Sequence, residues 1–330
     1  MNGKKGLVTH IDLDGIGPVV LEKLYRPYLG FDKVFCVDYG WEEISEISGE
    51  LAQYSELVFA DMSCSEMQFD WWKVTEMKIT VLDHHESAKT LMGKPGCIID
   101  EKRSGTKLFF DEYVRPRIGR YRPIVQDFVE LIDTYDLWKL DSPLWPKALD
   151  LNRVMFKYAL WNASEFEHKH ERFINAMLRK LDNDKEFAFN ATELRYIEES
   201  KEKEEDAYNR ALKTLKVRKD HWGRTFGVFL AWGKISITAS RLLYEHEGAK
   251  FDYVIAVQDY KDEYGKLSIR ARRGGDFYCT DLGLFSGHIE ASGCTLTPDQ
   301  ALHLYNKDVC FKYKRELKDE SDIFVESRAS

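Results

Sequence analysis

Aspartate and histidine side chains stand at the ends of three apolar runs within the first 85 residues of the chain. The runs are Leu7 to Ile11, Leu57 to Ala60 and Lys78 to Leu82. The side chains at their ends are His10, Asp12 and Asp14; Asp61; and Asp83, His84 and His85. Carboxylates and neutral imidazoles together suit Mn²⁺, Fe²⁺ or Zn²⁺. The pattern therefore predicts a divalent metal site, provided that the fold brings the three clusters together.

The spacing of apolar residues predicts strands and helices that would bring the three clusters together. In chain order they are the strand Leu7 to Ile11, the helix Ile16 to Tyr28, the strand Lys33 to Val37, the helix Trp41 to Tyr54, the strand Leu57 to Ala60, a short helix Ser65 to Glu76 and the strand Lys78 to Leu82. This alternation is typical of an α/β domain with a doubly wound, mainly parallel sheet. The carboxyl ends of parallel strands share one edge, where open α/β sheets bind ligands. We therefore expect the three clusters to converge.

A fourth group of carboxylates follows further along the chain. Ile124 to Ile132 has a helical pattern that delivers Asp133 and Asp136. Ser104 is a candidate N-cap for a preceding helix, Thr106 to Val114. We expect one of the two aspartates to bind metal and the other to cap the helix or face solvent.

The remainder of the chain predicts a second, smaller domain of α+β type. We place the first domain at residues 1–185, with an aromatic-rich helical insertion at about 149–181, a charged connecting helix at 186–220, and the second domain at 221–330 with a charged, frayed tail. Its predicted elements are the strands Thr225 to Trp232, Tyr253 to Gln258 and Lys266 to Arg272, and the helices Ile235 to His246 and Pro298 to Asn306. The segment Arg115 to Arg122, which holds four arginines, is predicted to be a loop.

Composition argues against several classes of protein. The chain has 330 residues, a formal net charge of −8 and a pI near 5.7. Proteins that coat long nucleic acids are usually basic, because they neutralise many phosphates. The six cysteines form no CxxC pair, which argues against a zinc knuckle and favours free thiols in a reducing cytosol. No segment is long and apolar enough for a signal peptide or a membrane span, so we expect a cytoplasmic protein.

The number of candidate ligands indicates more than one metal ion. Five carboxylates and three imidazoles exceed what one ion needs, so we expect two ions, with Mn²⁺ favoured and Mg²⁺ or Co²⁺ as alternatives. Two cations about 3.5–4 Å apart are the standard device for phosphoester hydrolysis. Asp61, alone at its strand end, is the candidate to bridge them.

These motifs, taken in order, resemble those of the DHH phosphoesterases. The family's landmarks are matched by His10-x-Asp12-x-Asp14-Gly15, the solitary Asp61, Asp83-His84-His85 with the serine-led helix start at Arg103 to Thr106, a downstream aspartate, and the segment Ser286 to Gly293. The last of these resembles the glycine- and histidine-containing signature of the family's associated C-terminal domain, with serine where glycine is usual at position 286. Tyr135-Asp136-Leu137-Trp138 is similar to the fourth motif of NrnB-type oligoribonucleases, which favours Asp136 over Asp133 as the ligand.

The resemblance implies roles for individual residues. Metal would be bound by His10, Asp12, Asp14, Asp61, His84 and Asp136. Asp83 would orient a neighbouring imidazole, and His85 would face the scissile phosphate. In the C-terminal domain, Gly287 and His288 would hold the terminal phosphate or base of the substrate, assisted by Arg270 or Arg272.

The activity that this implies is hydrolysis of short single-stranded oligonucleotides to mononucleotides, with substrate bound between the two domains. Neither stable duplex nucleic acid nor a membrane is an expected partner, and a homodimer is possible. Alternatives in the same class are hydrolysis of a linear or cyclic dinucleotide, of phosphoadenosine phosphate or of polyphosphate. An alternative of another class is a nucleotide-binding module without turnover.

Overall fold

A computed structural model describes most of the chain and divides it into two compact units, Met1–Ile197 and Glu198–Ser330. The described residues are 3–37, 41–159, 166–183, 185–258, 265–272, 274–283, 285–288, 290–317 and 323–327, with only the backbone described at 41–42, 166–169 and 286–288. The predicted insertion at 149–181 therefore lies partly outside them.

The first unit is built around a parallel sheet. Its strands are β1 (Lys5–Thr9), β2 (Lys33–Cys36), β3 (Glu56–Ala60), β4 (Lys78–Asp83) and β5 (Cys97–Ile99). Its helices are α1 (Leu13–Leu29), α2 (Trp41–Leu51), α3 (Glu66–Val74), α4 (Gly105–Leu108), α5 (Arg115–Ile118), α6 (Pro123–Asp136), α7 (Trp145–Tyr158) and α8 (Phe166–Asn183), and α9 (Ala191–Thr214) continues into the second unit.

The strand order β2-β1-β3-β4-β5, with all neighbours parallel, confirms the predicted doubly wound sheet. The chain leaves β1 toward β2 on one side and returns to β3 on the other. The topological switch point, where open α/β sheets form their ligand crevice, therefore lies between β1 and β3. Each of these strands is followed by one of the predicted metal clusters.

Alternating side chains bury the sheet on both faces. Leu7, Val58 and Leu82 pack in one buried cluster with α1, α6, α7 and α8. Val8 and Phe59 point to the opposite face, in a second cluster with α2 and α3. Helices thus cover both faces, and the carboxyl edge of the sheet is the place left for polar groups.

Two predictions for the first unit need correction. The predicted helix Thr106 to Val114 is a short α-helix, α4, followed by a π-helical segment, Phe109–Val114. The predicted loop Arg115 to Arg122 begins with a helical turn, α5. Arg117 explains part of this, since its guanidinium stacks 3.6 Å from the Tyr113 ring centroid and donates to the Tyr113 carbonyl oxygen at 2.7 Å.

The second unit has a six-stranded mixed sheet. Its strands are β6 (Lys216–Lys219), β7 (Thr225–Ala231), β8 (Tyr253–Gln258), β9 (Gly265–Ala271), β10 (Ser286–His288) and β11 (Ala291–Leu296), in the order β10-β11-β9-β8-β7-β6, with helices α10 (Ile235–Tyr244) and α11 (Pro298–Asn306). Only the β7–β8 pair is parallel among these described strands. In the described residues, no helix has the length and apolar composition needed to cross a membrane.

Sequence patterns missed two features of this unit. Strand β6 lies within the stretch predicted as a connecting helix. Three of its four residues are Lys or Arg, which is not a typical strand pattern, and pairing with β7 holds it in place. The last twenty residues, Phe311 to Ser330, predicted to be charged and to end in a frayed tail, contain β13 (Phe324–Glu326), which pairs antiparallel with β12 (Val309–Phe311). Phe311 and Ile323 are buried there, so apolar packing outweighs the charge of the tail.

Two adjacent tryptophans on α3 test this description of the first unit. Trp72 is fully buried and stacks on Phe59 with ring centroids 5.8 Å apart, whereas Trp71 is 55% exposed. We expect Trp72→Ala to lower the free energy of unfolding by about 3–5 kcal/mol. Trp71→Ala should change it by no more than about 0.5 kcal/mol. Urea unfolding followed by circular dichroism measures both; equal effects would contradict the assignment of the buried face.

Candidate metal centre

Strand register aligns the first residues of the predicted site. Thr9 of β1 pairs with Ala60 of β3, and Ala60 pairs with Leu82 of β4. The next residues along the three neighbouring strands are His10, Asp61 and Asp83, and all three are buried. Parallel pairing therefore brings together side chains that are separated by up to 73 positions in the sequence.

The start of α1 positions the second and third ligands. Asp12 is the N-cap of α1, and its Oδ1 accepts a hydrogen bond from the Gly15 amide at 3.0 Å. Its Oδ2 lies 3.3 Å from Nδ1 of His10. A side chain at Gly15 would place Cβ 2.0 Å from the carbonyl oxygen of His10, so glycine is required for this tight entry. Asp12 thus combines capping with a place in the cluster.

Asp14 is fixed by a contact that sequence analysis did not find. Its two carboxylate oxygens accept hydrogen bonds from the amides of Gly105, at 2.5 Å, and Thr106, at 2.9 Å. Gly105 also approaches Asp61 so closely that an added Cβ would lie 2.3 Å from the Asp61 Cα. The serine-led segment that follows Asp-His-His therefore shapes the cluster through its backbone. The motif match identified this segment in the sequence, but it did not identify Asp14 as the partner of its backbone amides.

The side chains form two linked groups around Asp61. Asp61 Oδ2 lies 3.8 Å from His10 Nδ1, and its Oδ1 lies 3.1 Å from His84 Nε2. His84 Nε2 is in turn 3.6 Å from Oδ2 of Asp14 and 3.4 Å from Oδ2 of Asp136. Asp61 is therefore central to the cluster, and its role as a bridging ligand stays a prediction. Its backbone has φ of 60°, a conformation that costs about 1–3 kcal/mol outside glycine and concentrates at functional sites.

Charge accumulates unfavourably in this cluster. Burial, together with the nearby carboxylates of Asp14 and Asp12, raises the pKa of Asp61 well above its usual range. The same causes raise the pKa of Asp136. Carboxylates packed this closely repel one another when ionised, and a bound cation would remove that penalty.

Asp83 occupies a different position from the other carboxylates. Its Oδ1 accepts hydrogen bonds from the backbone amides of His84, at 2.7 Å, and His85, at 3.2 Å, and lies 2.7 Å from His85 Nδ1. Burial alone would raise the pKa of Asp83, but the His85 imidazole and these hydrogen bonds lower it to about 2. Asp83 is therefore an ionised acceptor that orients the ring of His85.

The structure separates the two aspartates at the end of α6. Asp136 reaches the cluster through its contact with His84. Asp133 accepts a hydrogen bond from the Ser104 amide at 2.8 Å and pairs with the Lys139 ammonium. Asp133 thus ties α6 to the start of α4, whereas Asp136 lies in the cluster with His84; metal binding by Asp136 stays a prediction.

The donor set fits divalent cations. Three groups of side chains place one ligand atom each within 4.8 Å of one another: Asp61, His84 and His85; His10, Asp12 and Asp61; and Asp14, His84 and Asp136. The buried Oδ2 atoms of Asp61 and Asp136 accept no hydrogen bond within the described part of the chain. Buried oxygens without donors are costly unless something else satisfies them. Carboxylate and imidazole ligands of this kind suit Mn²⁺ and related ions.

The predicted substrate residues lie in the second unit. Arg270 donates to Ser268 Oγ and to Ser236 Oγ, each at 2.8 Å. Arg272 donates to the carbonyl oxygens of Phe251, at 3.1 Å, and Leu243. Both guanidinium groups therefore have protein acceptors, and their part in substrate binding stays a prediction.

Gly287 and His288 lie in β10, where they pair with Ser292 and Ala291 of β11. Their side-chain environment lies outside the described residues. The backbone pairing shows that the glycine- and histidine-containing motif forms an antiparallel hairpin next to β9. A role for these two residues in holding a terminal phosphate or base stays a prediction.

Comparison with known proteins gives similarity in structure only. No protein-family model matches the chain, and no curated protein sequence matches it. Among solved structures, it is similar to PggH, a pGpG-specific phosphodiesterase from Vibrio cholerae, with a TM-score of 0.53, 15% identity and coverage of 91% of this chain and 96% of that one.

Two further structures have comparable similarity. The DHH domain of a member of the s1p family of ribosomal proteins gives a TM-score of 0.58 at 14% identity, covering 92% of this chain and 85% of that one. RecJ from Thermus thermophilus in complex with Mn²⁺ gives a TM-score of 0.52 at 17% identity, covering 92% of this chain and 51% of that one. The chain has the fold of the DHH phosphoesterases, as its motifs predicted.

Proposed function

We propose that this chain is a metal-dependent phosphodiesterase that hydrolyses short single-stranded oligonucleotides to mononucleotides. The observation that carries the proposal is the cluster around Asp61. Three overlapping groups of carboxylate and imidazole side chains, joined through Asp61 and His84, lie at the switch point of a DHH-type sheet. A ligand set shared in this way is what a pair of cations requires.

Each residue of the cluster has a distinct task in this proposal. His10 and Asp12 would hold one cation, whereas Asp14, His84 and Asp136 would hold the other, with Asp61 between them. Mn²⁺ is the favoured ion. The cations would supply Lewis acidity and offset the negative charge that develops on the phosphoryl oxygens.

Asp83 and His85 serve the substrate. The ionised Asp83 accepts from Nδ1 of His85, which makes Nδ1 the protonated nitrogen and directs Nε2 away from Asp83. His85 in this orientation would face the scissile phosphate and hold or accept a proton there. Asp83 acts through His85 and is a positioning residue.

Two observations favour short substrates. The net charge of −8 disfavours a protein that tracks a long polyanion, whereas one or two phosphates can be held by metal. PggH, whose fold this chain shares along most of both lengths, is titled a pGpG-specific phosphodiesterase. A dinucleotide is therefore the second candidate substrate. We assign catalysis to residues 1–185 and substrate binding to residues 221–330.

Metal binding has a thermodynamic consequence that does not depend on turnover. We expect Mn²⁺ to raise the melting temperature of EDTA-treated protein, because a ligand at 100 times its Kd stabilises the fold by about 2.7 kcal/mol per site. Asp61→Asn should lose most of this Mn²⁺-dependent rise in melting temperature. In EDTA it should be no less stable than the wild type, because it removes a carboxylate that neighbouring carboxylates repel and because asparagine tolerates the left-handed conformation. Differential scanning fluorimetry makes the measurement.

Asp70→Asn is the matched control for that experiment. Asp70 is exposed and pairs with Lys94, away from the cluster. The Asp70→Asn variant should keep the full Mn²⁺-dependent rise in melting temperature. If Asp61→Asn and Asp70→Asn both retained the increment, Asp61 would not be a metal ligand.

Hydrolysis tests the proposed activity directly. The assay compares pGpG, a 5′-labelled RNA pentamer and a 24-mer, each with Mn²⁺ and with EDTA. We expect Mn²⁺-dependent cleavage of the short substrates and sparing of the 24-mer. Asp83→Ala should lower kcat about 10- to 100-fold, the usual cost of losing a supporting hydrogen bond at a metal site. Cleavage that persists in EDTA, or no cleavage of any substrate, would contradict the proposal.

A further inference from the structure

Three aromatic side chains, two of them within two positions of the metal-ligand candidate Asp136, pack on one another in space. We call Tyr135, Trp138 and Trp145 the aromatic triad. The rings of Tyr135 and Trp145 are nearly parallel, with an interplanar angle of 7° and centroids 6.1 Å apart. Trp138 lies 5.1 Å from Trp145 and 6.0 Å from Tyr135 by ring centroid.

The aromatic triad is not part of the fully buried core. All three side chains are only partly buried, whereas other large aromatic residues of this unit, such as Phe128 and Phe173, are fully buried. Trp138 and Trp145 belong to none of the hydrophobic clusters among the described residues, and Tyr135 only borders one. Each side chain of the triad therefore keeps part of its surface accessible.

The backbone holds Trp138, two positions after Asp136, in a strained conformation. Its φ is 45°, in the left-handed region that bulky residues rarely adopt. Its amide donates to the Tyr135 carbonyl at 3.0 Å, and its own carbonyl accepts from the Leu140 amide at 2.8 Å. The next residue, Lys139, is anchored to Asp133. Strain that is fixed in this way clusters at ligand-binding sites.

We propose that the aromatic triad stacks against a nucleobase of the substrate, with Trp138 as its principal surface. The inference rests on the proposed function, because it takes the phosphate of the same nucleotide to be held at the metal centre. Tyr135 and Trp138 flank Asp136, so one helix end supplies both a phosphate-binding ligand and aromatic rings. Stacking on aromatic rings tolerates any base, which suits a substrate defined by length. It selects nucleotides over inorganic polyphosphate.

The test separates base recognition from phosphate recognition without requiring turnover. Isothermal titration calorimetry compares GMP with ribose 5-phosphate, each added to the full chain with Mn²⁺. Trp138→Leu should weaken GMP binding about 5- to 150-fold, the range that base stacking contributes. It should leave ribose 5-phosphate binding unchanged, and Trp138→Phe should retain most of the GMP affinity. Trp71→Leu, at the exposed tryptophan of α3, should alter neither ligand.

A second measurement keeps the test valid if Trp138→Leu folds poorly. GMP should quench the tryptophan fluorescence of the wild-type protein, ribose 5-phosphate should not, and Trp138→Phe should lose most of that quenching. The inference is overturned if the wild type binds GMP no tighter than ribose 5-phosphate, or if Trp138→Leu weakens both ligands equally or neither. Failure of the proposed function shows separately, as absence of Mn²⁺-dependent hydrolysis by the wild type.

Discussion

The common register of three parallel strands is the constraint on which the candidate metal centre depends. Because Thr9, Ala60 and Leu82 lie side by side, the polar residues that follow them enter one buried space. Sterically, this is possible only because Gly105 leaves room beside Asp61. Electrostatically, the arrangement is unfavourable without a cation, since burial and neighbouring carboxylates raise the pKa of both Asp61 and Asp136. Geometry thus concentrates a charge that divalent ions are suited to neutralise.

The supporting contacts have separate tasks. Backbone amides at the start of α4 orient Asp14, and Asp133 ties the end of α6 to the same segment. Asp83 orients His85 through a short contact to Nδ1. Each supporting group satisfies its own hydrogen bonds within the protein. The buried Oδ2 atoms of Asp61 and Asp136 accept no hydrogen bond within the described residues, and they would be available to the proposed ions. This division explains how the unit can hold several buried carboxylates and keep only some of them for metal.

The sequence predicted the parts of the fold that depend on local pattern. Alternating strands and helices identified the parallel sheet, and the positions of His10, Asp61 and Asp83 after apolar runs placed them at its carboxyl edge. Contacts between segments that are distant in the sequence could not be predicted from local pattern. Gly105 and Asp14 are 91 positions apart, and their hydrogen bond depends on how α4 packs beside α1. Strand β6 is likewise held by pairing with β7 despite its charged composition, and β12 and β13 pair across a charged intervening segment.

The most direct test of the central claim is the number of Mn²⁺ ions that the metal-free chain binds. Electron paramagnetic resonance of free Mn²⁺ during a titration counts the ions taken up at each concentration. We predict two tightly bound ions per chain, and fewer for Asp61→Asn, since Asp61 is common to two of the three ligand groups. Uptake of no tightly bound ion, or two ions bound equally well by Asp61→Asn, would contradict a dinuclear centre organised around Asp61.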